Sequence, residues 1–293
     1  MQSLLKVALT GFASLTTVAF SANAQTPNIS SIADSIRTYE AFVQQPDGRK
    51  SGAAWWKLAI LYQDIAHFHE AELAYTNAIR LLKAQNSDSL ADVIDCLGTM
   101  YVEAGQLGKA EKLERDALTV REIRKDSLGM GISWTHLAML SLGEHHLSDA
   151  AMYAQWAVDQ LLAERSQTVA TPEQKMSALI ALAIARCEQA RCVDALVTLQ
   201  KARAIAGTSY RPGSFPISYI DFLIGYAYWK DGNLELAAEL MRTGTTGMQT
   251  ELSWGHPTYL AAMQQYEHFL MQTHRKADAS EVRRVIARIR ESH

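Results

Sequence analysis

Two histidine pairs have a spacing that most nearly resembles that of metal ligands. His67 and His69 flank Phe68, and His145 and His146 are adjacent. Neither pair has the i, i+4 spacing with which an HExxH helix binds zinc. Both pairs fall at turns between apolar helical segments, where we expect solvated histidines. The sequence therefore predicts no metal site and no cofactor.

Three cysteines are the next candidates for chemistry. Cys187 and Cys192 lie five residues apart in CEQARC, and Cys96 stands alone. In an oxidising compartment the close pair can form a disulfide. The alternative is three buried thiols that pack as small hydrophobic residues. Cys187 stands beside Glu188, but the sequence offers it no candidate catalytic triad.

Motifs of the common enzyme classes are absent from the sequence. It contains neither a GxxxxGK[ST] nor a GxGxxG phosphate loop, and it has no GxSxG nucleophile elbow. Carboxylates such as Asp92, Asp95 and Glu103 could do acid–base work as pairs, but on helical segments they more often form a polar recognition face. We predict that the protein is not an enzyme.

Residues 1–24 have the pattern of a secretory signal peptide. One positive charge in MQSLLK precedes the uncharged run VALTGFASLTTVAF, and Ala22 and Ala24 have the small-x-small spacing of a cleavage site. We expect cleavage after Ala24, with an uncleaved anchor as the alternative. No cysteine stands at the cleavage site, so a lipoprotein anchor is not expected. The mature chain is predicted to be periplasmic or secreted, without stable membrane insertion.

Composition agrees with a soluble, mostly helical protein. The formal net charge of the 293 residues is −3, with 48% hydrophobic and 20% charged residues. A chain without a basic excess is poorly suited to follow nucleic-acid phosphates, so no nucleic-acid partner is expected. Glycine and proline are sparse, and β-branched residues do not alternate with polar ones, which favours helices.

One spacing of apolar and small residues recurs along the chain. It is clearest from Trp55, in WWKLAILYQDIAHFHEAELAYTNAIRLL, and returns in IDCLGTMYVEAGQLGKAEKLERDAL and in YIDFLIGYAYWKDGNLELAAEL. Each copy reads as two antiparallel helices with a short turn. Small residues at the closest approach, such as Ala59 with Ala71 and Gly225 with Ala237, let the helices meet. Gly105 and Gly232 stand where the turn needs a positive φ.

The spacing WxxLAxxY…AxxxYxxA from Trp55 to Ala78 resembles the tetratricopeptide repeat (TPR). Copies recur 39 to 45 residues apart, more than the usual ~34, as in repeats of the kinesin-light-chain type. The resemblance implies an all-α fold, a right-handed superhelical solenoid of antiparallel helix pairs. We predict an N-terminal segment at 25–51 with one capping helix, and six repeats in 52–293 that start near 52, 91, 131, 176, 218 and 260.

In TPR proteins the first helices of the pairs line a concave groove, and the resemblance implies such a groove here. It would be acidic toward one end and aromatic toward the other. The candidate partner-binding residues are Trp56, Asp64, Asp92, Asp95, Tyr219, Phe222, Tyr226, Trp229 and Lys230. The alternative for the aromatic residues is burial, under the connecting segment GTSYRPGSFP or the C-terminal helix.

Three functions are compatible with these patterns. The favoured one is a non-catalytic exported scaffold that binds a protein or peptide of the cell envelope in its groove. One alternative is a small-ligand or glycan-binding module that uses the aromatic cluster of the fifth repeat. The other is a homo-oligomerisation module, because an exposed aromatic patch can equally mark a contact between copies.

Overall fold

The computed structural model describes residues 29–163, 169–252 and 256–291. The predicted signal peptide lies outside these residues. Every regular secondary-structure element formed by the described residues is an α-helix. They are α1 (Ile29–Gln44), α2 (Pro46–Arg49), α3 (Gly52–Asp64), α4 (Phe68–Ala84), α5 (Leu90–Glu103), α6 (Leu107–Arg124), α7 (Ser127–Gly143), α8 (Leu147–Leu161), α9 (Pro172–Glu188), α10 (Cys192–Ser209), α11 (Phe215–Asp231), α12 (Leu234–Glu251), α13 (Pro257–Gln272) and α14 (Lys276–Glu291).

Within the described residues, six helix pairs follow one another from α3 onward, and their first helices begin at Gly52, Leu90, Ser127, Pro172, Phe215 and Pro257. These starts fall up to four residues before the predicted ones. None of the described helices combines the length and the apolar composition that crossing a bilayer requires. The chain divides after Ser133 into two compact units, whose described parts are residues 29–133 and residues 134–291.

In the unit of residues 29–133, α1 packs against α3, α3 pairs with α4, and α5 pairs with α6. On the apolar face of α1, Ile32, Ile36 and Val43 are buried and Tyr39 is half-buried. Ala59 and Ala71, the small residues expected at the α3–α4 approach, have no exposed surface. The amphipathic N-terminal helix therefore covers the first pair, because that pair cannot bury its apolar face alone.

In the unit of residues 134–291, α9 pairs with α10, α11 with α12, and α13 with α14. Gly225 allows α11 and α12 to approach closely, since a Cβ at this position would lie 2.9 Å from the backbone nitrogen of Met241. Helix α9 starts with a capping box, in which Thr171 and Gln174 each bond the other's backbone N–H.

The six turns within the pairs share one geometry. Each contains a residue in the left-handed region, with φ between 57° and 93°. In each turn the N–H of the next residue bonds the carbonyl five residues before it, as from Gln106 to Tyr101 at 2.8 Å and from Asn233 to Tyr228 at 2.9 Å. This is the Schellman ending of a helix. The left-handed residues are Ala66, Gly105, His145, Ala190, Gly232 and His274.

The positive φ predicted for Gly105 and Gly232 is confirmed. The other four turns place alanine or histidine in the same conformation, where a Cβ is unfavourable. The histidines of GEHHLSD thus belong to a turn, as expected, and His145 is the left-handed residue itself.

Candidate functional site

The most accessible cluster of predicted site residues lies on the first helices of the unit of residues 29–133. Helices α3 and α5 contact each other, and their polar side chains form a surface that we call the acidic face. Asp64, Asp92 and Glu103 are exposed on it, and Trp56 and Gln63 are half-buried. The acidic face is defined as Trp56, Gln63, Asp64, Asp92, Cys96 and Glu103.

A chain of hydrogen bonds holds Glu103 in place on this face. The buried Tyr75 donates from its hydroxyl to Oε1 of Gln63 at 2.6 Å, and Nε2 of Gln63 donates to Oε2 of Glu103 at 3.0 Å. Tyr75 belongs to α4, Gln63 to α3 and Glu103 to α5. Three helices therefore fix the position of one exposed carboxylate.

The carboxylates of Asp64 and Glu103 sit in an unfavourable electrostatic environment. Partial burial raises the pKa of Glu103, and the charge of Asp64 raises it further, whereas the hydrogen bond from Gln63 lowers it. Partial burial also raises the pKa of Asp64, and Lys57 opposes that shift. The charge of Lys57 therefore offsets part of the cost that burial imposes on the Asp64 carboxylate, while Glu103 is stabilised by the hydrogen bond from Gln63.

Cys96 is not suited to nucleophilic chemistry. Burial raises the pKa of its thiol to about 12, the neighbouring Trp56 opposes this shift, and the charges of Asp95 and Asp92 add to it. Because the thiolate is the reactive form, a thiol with this pKa is inert at neutral pH.

Asp95, a predicted groove residue, belongs instead to a buried ion-pair network. Only 8% of its surface is exposed, and its Oδ2 accepts a hydrogen bond from Nη2 of Arg121 at 2.5 Å. Arg121 is 3% exposed and also donates to Ser133 and, at 3.2 Å, to Asp92. A carboxylate bound in this way holds helices together and is not accessible to a partner, so its assignment to the groove surface is corrected.

Arg121 was not identified by its spacing to Asp95, because 26 residues separate them. The repeat pattern does contain a signal. Arg121 follows Ala117 by four residues, and the corresponding position of other repeats carries an apolar, buried residue. Those residues are Leu82, Leu161, Ala206 and Met248. A charged residue at a core position of a repeat indicates a buried partner.

The aromatic cluster of α11 is largely internal. Tyr219 and Phe222 have no exposed surface, and Tyr226 is 4% exposed. The Tyr219 ring stacks on Phe215 with centroids 5.7 Å apart, and the Phe222 Cβ lies close to Gly244 of α12. In this structure these three residues offer no free face to a partner or a glycan. Phe215 of the connecting segment covers Tyr219, as the alternative expected, whereas Phe222 packs against α12. The reason is that α11 is apolar on all sides, and such a helix is buried.

Trp229 and Lys230 are the residues of this cluster that keep accessible surface. Trp229 is half-buried, with edge-to-face contacts to Tyr226 and to Phe269 of α13 at centroid distances of 5.7 Å and 5.5 Å. The exposed Lys230 places its Nζ 5.1 Å from the centre of the Trp229 ring. The Tyr226 hydroxyl donates to Oε1 of Glu188 at 2.8 Å. The charges at this end are therefore matched by cation–π contacts and by a hydrogen bond.

Cys187 and Cys192 are joined by a disulfide across the turn between α9 and α10. The bond encloses Ala190, the left-handed residue of that turn. Cys96 remains a thiol.

Comparison with known proteins establishes the fold. No protein-family model and no curated protein matches the sequence. The apo form of RapI is a similar solved structure, with a TM-score of 0.71, 11% identity and coverage of 96% of each chain. A putative kinesin light chain from Podosopora anserina with nearly identical TPR-like repeats has a TM-score of 0.53 and 17% identity, over 70% of this chain and 96% of that one.

A third similar structure is a Rap protein complexed with competence and sporulation factor. Its TM-score is 0.65 at 12% identity, over 90% of this chain and 70% of that one. At these identities the likeness concerns the fold alone. It confirms the TPR-like, all-α architecture of helix pairs that the repeat pattern predicted.

Proposed function

We propose that this protein is a non-catalytic, exported TPR-like scaffold that binds a protein or peptide of the cell envelope on its acidic face. One observation carries the proposal: Asp64, Asp92 and Glu103 stay exposed on the first helices, whereas their sequence neighbours are buried, as Ala91 and Val93, or half-buried, as Gln63 and Val102. The Rap protein solved in complex with competence and sporulation factor has a similar fold, which supports a binding role for the architecture.

Export rests on the N-terminal sequence. The charged start, the uncharged run and the Ala22–Ala24 spacing support cleavage and release into a periplasm or the medium. A disulfide between Cys187 and Cys192 is compatible with an oxidising compartment.

The absence of catalysis is supported by the chemistry of the acidic face. Its thiol is held protonated by burial, and Glu103 is fixed by Gln63. A face built from fixed carboxylates and a half-buried indole is suited to recognition through several moderate contacts.

Position-specific crosslinking in the native host tests the proposal. A photo-reactive phenylalanine derivative replaces the exposed Lys57, two helical turns before Asp64 on α3, or, as a control, Asp116 on the exposed side of α6. We expect one discrete crosslinked partner from position 57 in the periplasmic or secreted fraction, identified by mass spectrometry, and none from position 116. Equal crosslinking from both positions, or crosslinking only in the cytoplasm, would contradict the proposal.

A further inference from the structure

The disulfide between Cys187 and Cys192 is not needed to form the turn that it spans. Five other turns of the described residues have the same left-handed residue and the same Schellman hydrogen bond, and the sequence places no cysteine in them. In the turn of the disulfide, the backbone N–H of Arg191 bonds the carbonyl five residues before it at 2.9 Å. Nε2 of Gln189 also donates to the carbonyl of Leu147 at 3.0 Å. Hydrogen bonds therefore hold this turn without the covalent bond.

The bond also closes too short a loop to stabilise the fold strongly. A disulfide stabilises a protein mainly by restricting the unfolded chain, and the effect grows with the length of the closed loop. The sequence separation of Cys187 and Cys192 is five. Their bond therefore contributes less to stability than a bond between distant helices would.

Both cysteines line a cavity of about 490 Å³ in the unit of residues 134–291. Its wall includes the start of α8 at Leu147, the turn between α9 and α10, and the last turn of α11 at Lys230. Cys187 and Cys192 are 7% and 6% exposed, so the cavity is the route by which a reagent reaches their sulfur atoms. The exposed Val193 also lines the cavity and offers an apolar contact to a chain that docks there.

The two sulfur atoms stand at helix ends of opposite polarity. Cys192 is the first residue of α10, which has 18 residues, and Cys187 is the last but one residue of α9. The N-terminal end of a helix stabilises an anion, and the C-terminal end disfavours one. A thiolate is therefore more stable on Cys192 than on Cys187, which makes Cys192 the better leaving group when the bond is attacked.

The charged side chains of the cavity are distributed in neighbours of opposite sign. Nη2 of Arg191 lies 2.6 Å from Oδ2 of Asp194, and Lys230 directly precedes Asp231. Oε1 of Glu188 accepts a hydrogen bond from a tyrosine hydroxyl of α11 at 2.8 Å. The cavity therefore carries no positive excess, and the polarity of the helix ends decides which sulfur leaves.

We propose that the Cys187–Cys192 disulfide is a thiol–disulfide exchange site, which accepts two electrons from a pair of cysteine thiols on a polypeptide docked at the cavity. A thiolate of that pair attacks the sulfur of Cys187, and the electron pair of the broken bond leaves on Cys192. The second thiol of the pair loses its proton and attacks the first sulfur in the mixed disulfide, so that Cys187 leaves in turn. Both cysteines take up a proton.

The reaction balances without a further oxidant. The polypeptide loses two electrons and two protons and gains a disulfide, while this protein gains them and holds two thiols. Exchange is stoichiometric, one bond for each chain, and it goes beyond the partner binding proposed for the acidic face.

Exchange with a peptide tests the proposal. The purified full chain is mixed, without oxygen, with an excess of a glycine–serine peptide that carries two reduced cysteines, and thiols are then alkylated and located by mass spectrometry. We expect one peptide to be oxidised for each chain, with alkylation at Cys187 and Cys192. Cys96 is the internal control, because burial raises the pKa of its thiol to about 12 and keeps it unlabelled in the folded chain. A bond that stays closed until urea unfolds the chain would overturn the proposal.

Serine variants test the roles of the two sulfur atoms. Cys187→Ser leaves Cys192 as a thiol, and Cys192→Ser leaves Cys187. We expect Cys192 to react with iodoacetamide severalfold faster at neutral pH, because the helix N-terminus stabilises its thiolate. The double variant C187S/C192S is expected to keep its circular dichroism spectrum. Equal or faster reaction of Cys187, or unfolding of the double variant, would overturn the proposal.

A matched pair of variants tests access through the cavity. Val193 and Val197 are both exposed on α10, and Val197 lies one helical turn beyond the cavity residue Val193. Val193→Glu places a carboxylate where it repels the incoming thiolate, and the first turn of a helix tolerates an acidic residue. We expect exchange with the peptide to slow severalfold for V193E and to change less than about twofold for V197E, since a screened surface charge acts weakly. Equal rates for the two variants would contradict attack through the cavity and overturn the proposal.

Discussion

The first helices of residues 29–133 and those of residues 134–291 hold corresponding places in the repeated pairs. Their surfaces differ, because the former expose acidic side chains and the latter are mostly buried. Helix α5 exposes Asp92 and Glu103, whereas every residue of α9 from Met176 to Ala185 is buried. Both units share the geometry of the turns, and both place small residues at the closest approach of paired helices, as Ala59 with Ala71 and Gly225 with Ala237. The repeat pattern therefore builds the helix pair, and the residues between its recurring positions decide whether the surface of the first helix stays exposed.

The two units also differ in what lies between paired helices. In the second repeat, Glu114 and Arg121 occupy core positions. In the fifth repeat the corresponding residues are Met241 and Met248, both without exposed surface. The stability of a buried ion-pair network depends on each of its charged residues, whereas the stability of an apolar core depends on how closely its side chains pack. We therefore expect the first unit to be destabilised most by the loss of a charged partner, and the second by a change in the shape of its core.

The largest expected effect comes from removing the centre of the network. Arg121→Ala leaves Asp95 buried without its arginine, and we expect the free energy of unfolding to fall by about 3–5 kcal/mol. Urea unfolding followed by circular dichroism measures this. The matched control is Arg115→Ala, in the same helix, which removes an exposed pair with Glu111 and should cost less than about 1 kcal/mol. If Arg121→Ala lowered the free energy of unfolding no more than Arg115→Ala does, the buried network would not be a main source of stability.

The second prediction concerns shape in the other unit. A Cβ on Gly244 would lie 2.8 Å from the Ser218 carbonyl oxygen and 2.9 Å from the Phe222 backbone nitrogen. Gly244→Ala should therefore push α11 and α12 apart and lower the free energy of unfolding by about 1–3 kcal/mol.

Its control is Gly207→Ala in α10, whose Cβ would meet only the end of Arg203, at 3.6 Å. That substitution should be neutral or stabilising, since alanine favours the helix. If Gly244→Ala were equally harmless, the close approach of α11 and α12 would not be a source of stability.

The smallest expected effect concerns the turn geometry that both units share. Ala66 and Gly232 are the left-handed residues of corresponding turns, with φ of 57° and 93°. Ala66→Gly removes an unfavourable Cβ and should stabilise by about 0.5–1 kcal/mol, and Gly232→Ala should destabilise by a similar amount. Thermal and urea unfolding of the two single variants check the opposite signs. Effects of the same sign would contradict a common turn geometry.

Much of the architecture could be read from local patterns. The pairing of Ala59 with Ala71, the turns at Gly105 and Gly232 and the capping box at Thr171 all depend on residues within one helix pair. Within such short separations, helix periodicity and turn chemistry fix which side chains meet.

The site was less predictable because exposure depends on packing between pairs. Asp95 and Asp92 have similar sequence surroundings, but Arg121 from the next helix buries one and leaves the other mostly exposed. Tyr219 and Phe222 have the spacing of groove residues, and yet both are buried. No periodic pattern encodes which of several apolar faces is covered.

The sequence by itself determined the helix pairs, their turns and the placement of acidic residues on α3 and α5, since these depend on propensity, periodicity and small residues at fixed intervals. The tertiary structure decided which of those residues remain accessible. Asp64, Asp92 and Glu103 remain on the surface, whereas Asp95 is buried. The reason is that the packing of consecutive pairs determines which side chains are buried, and burial determines which charges a partner can contact.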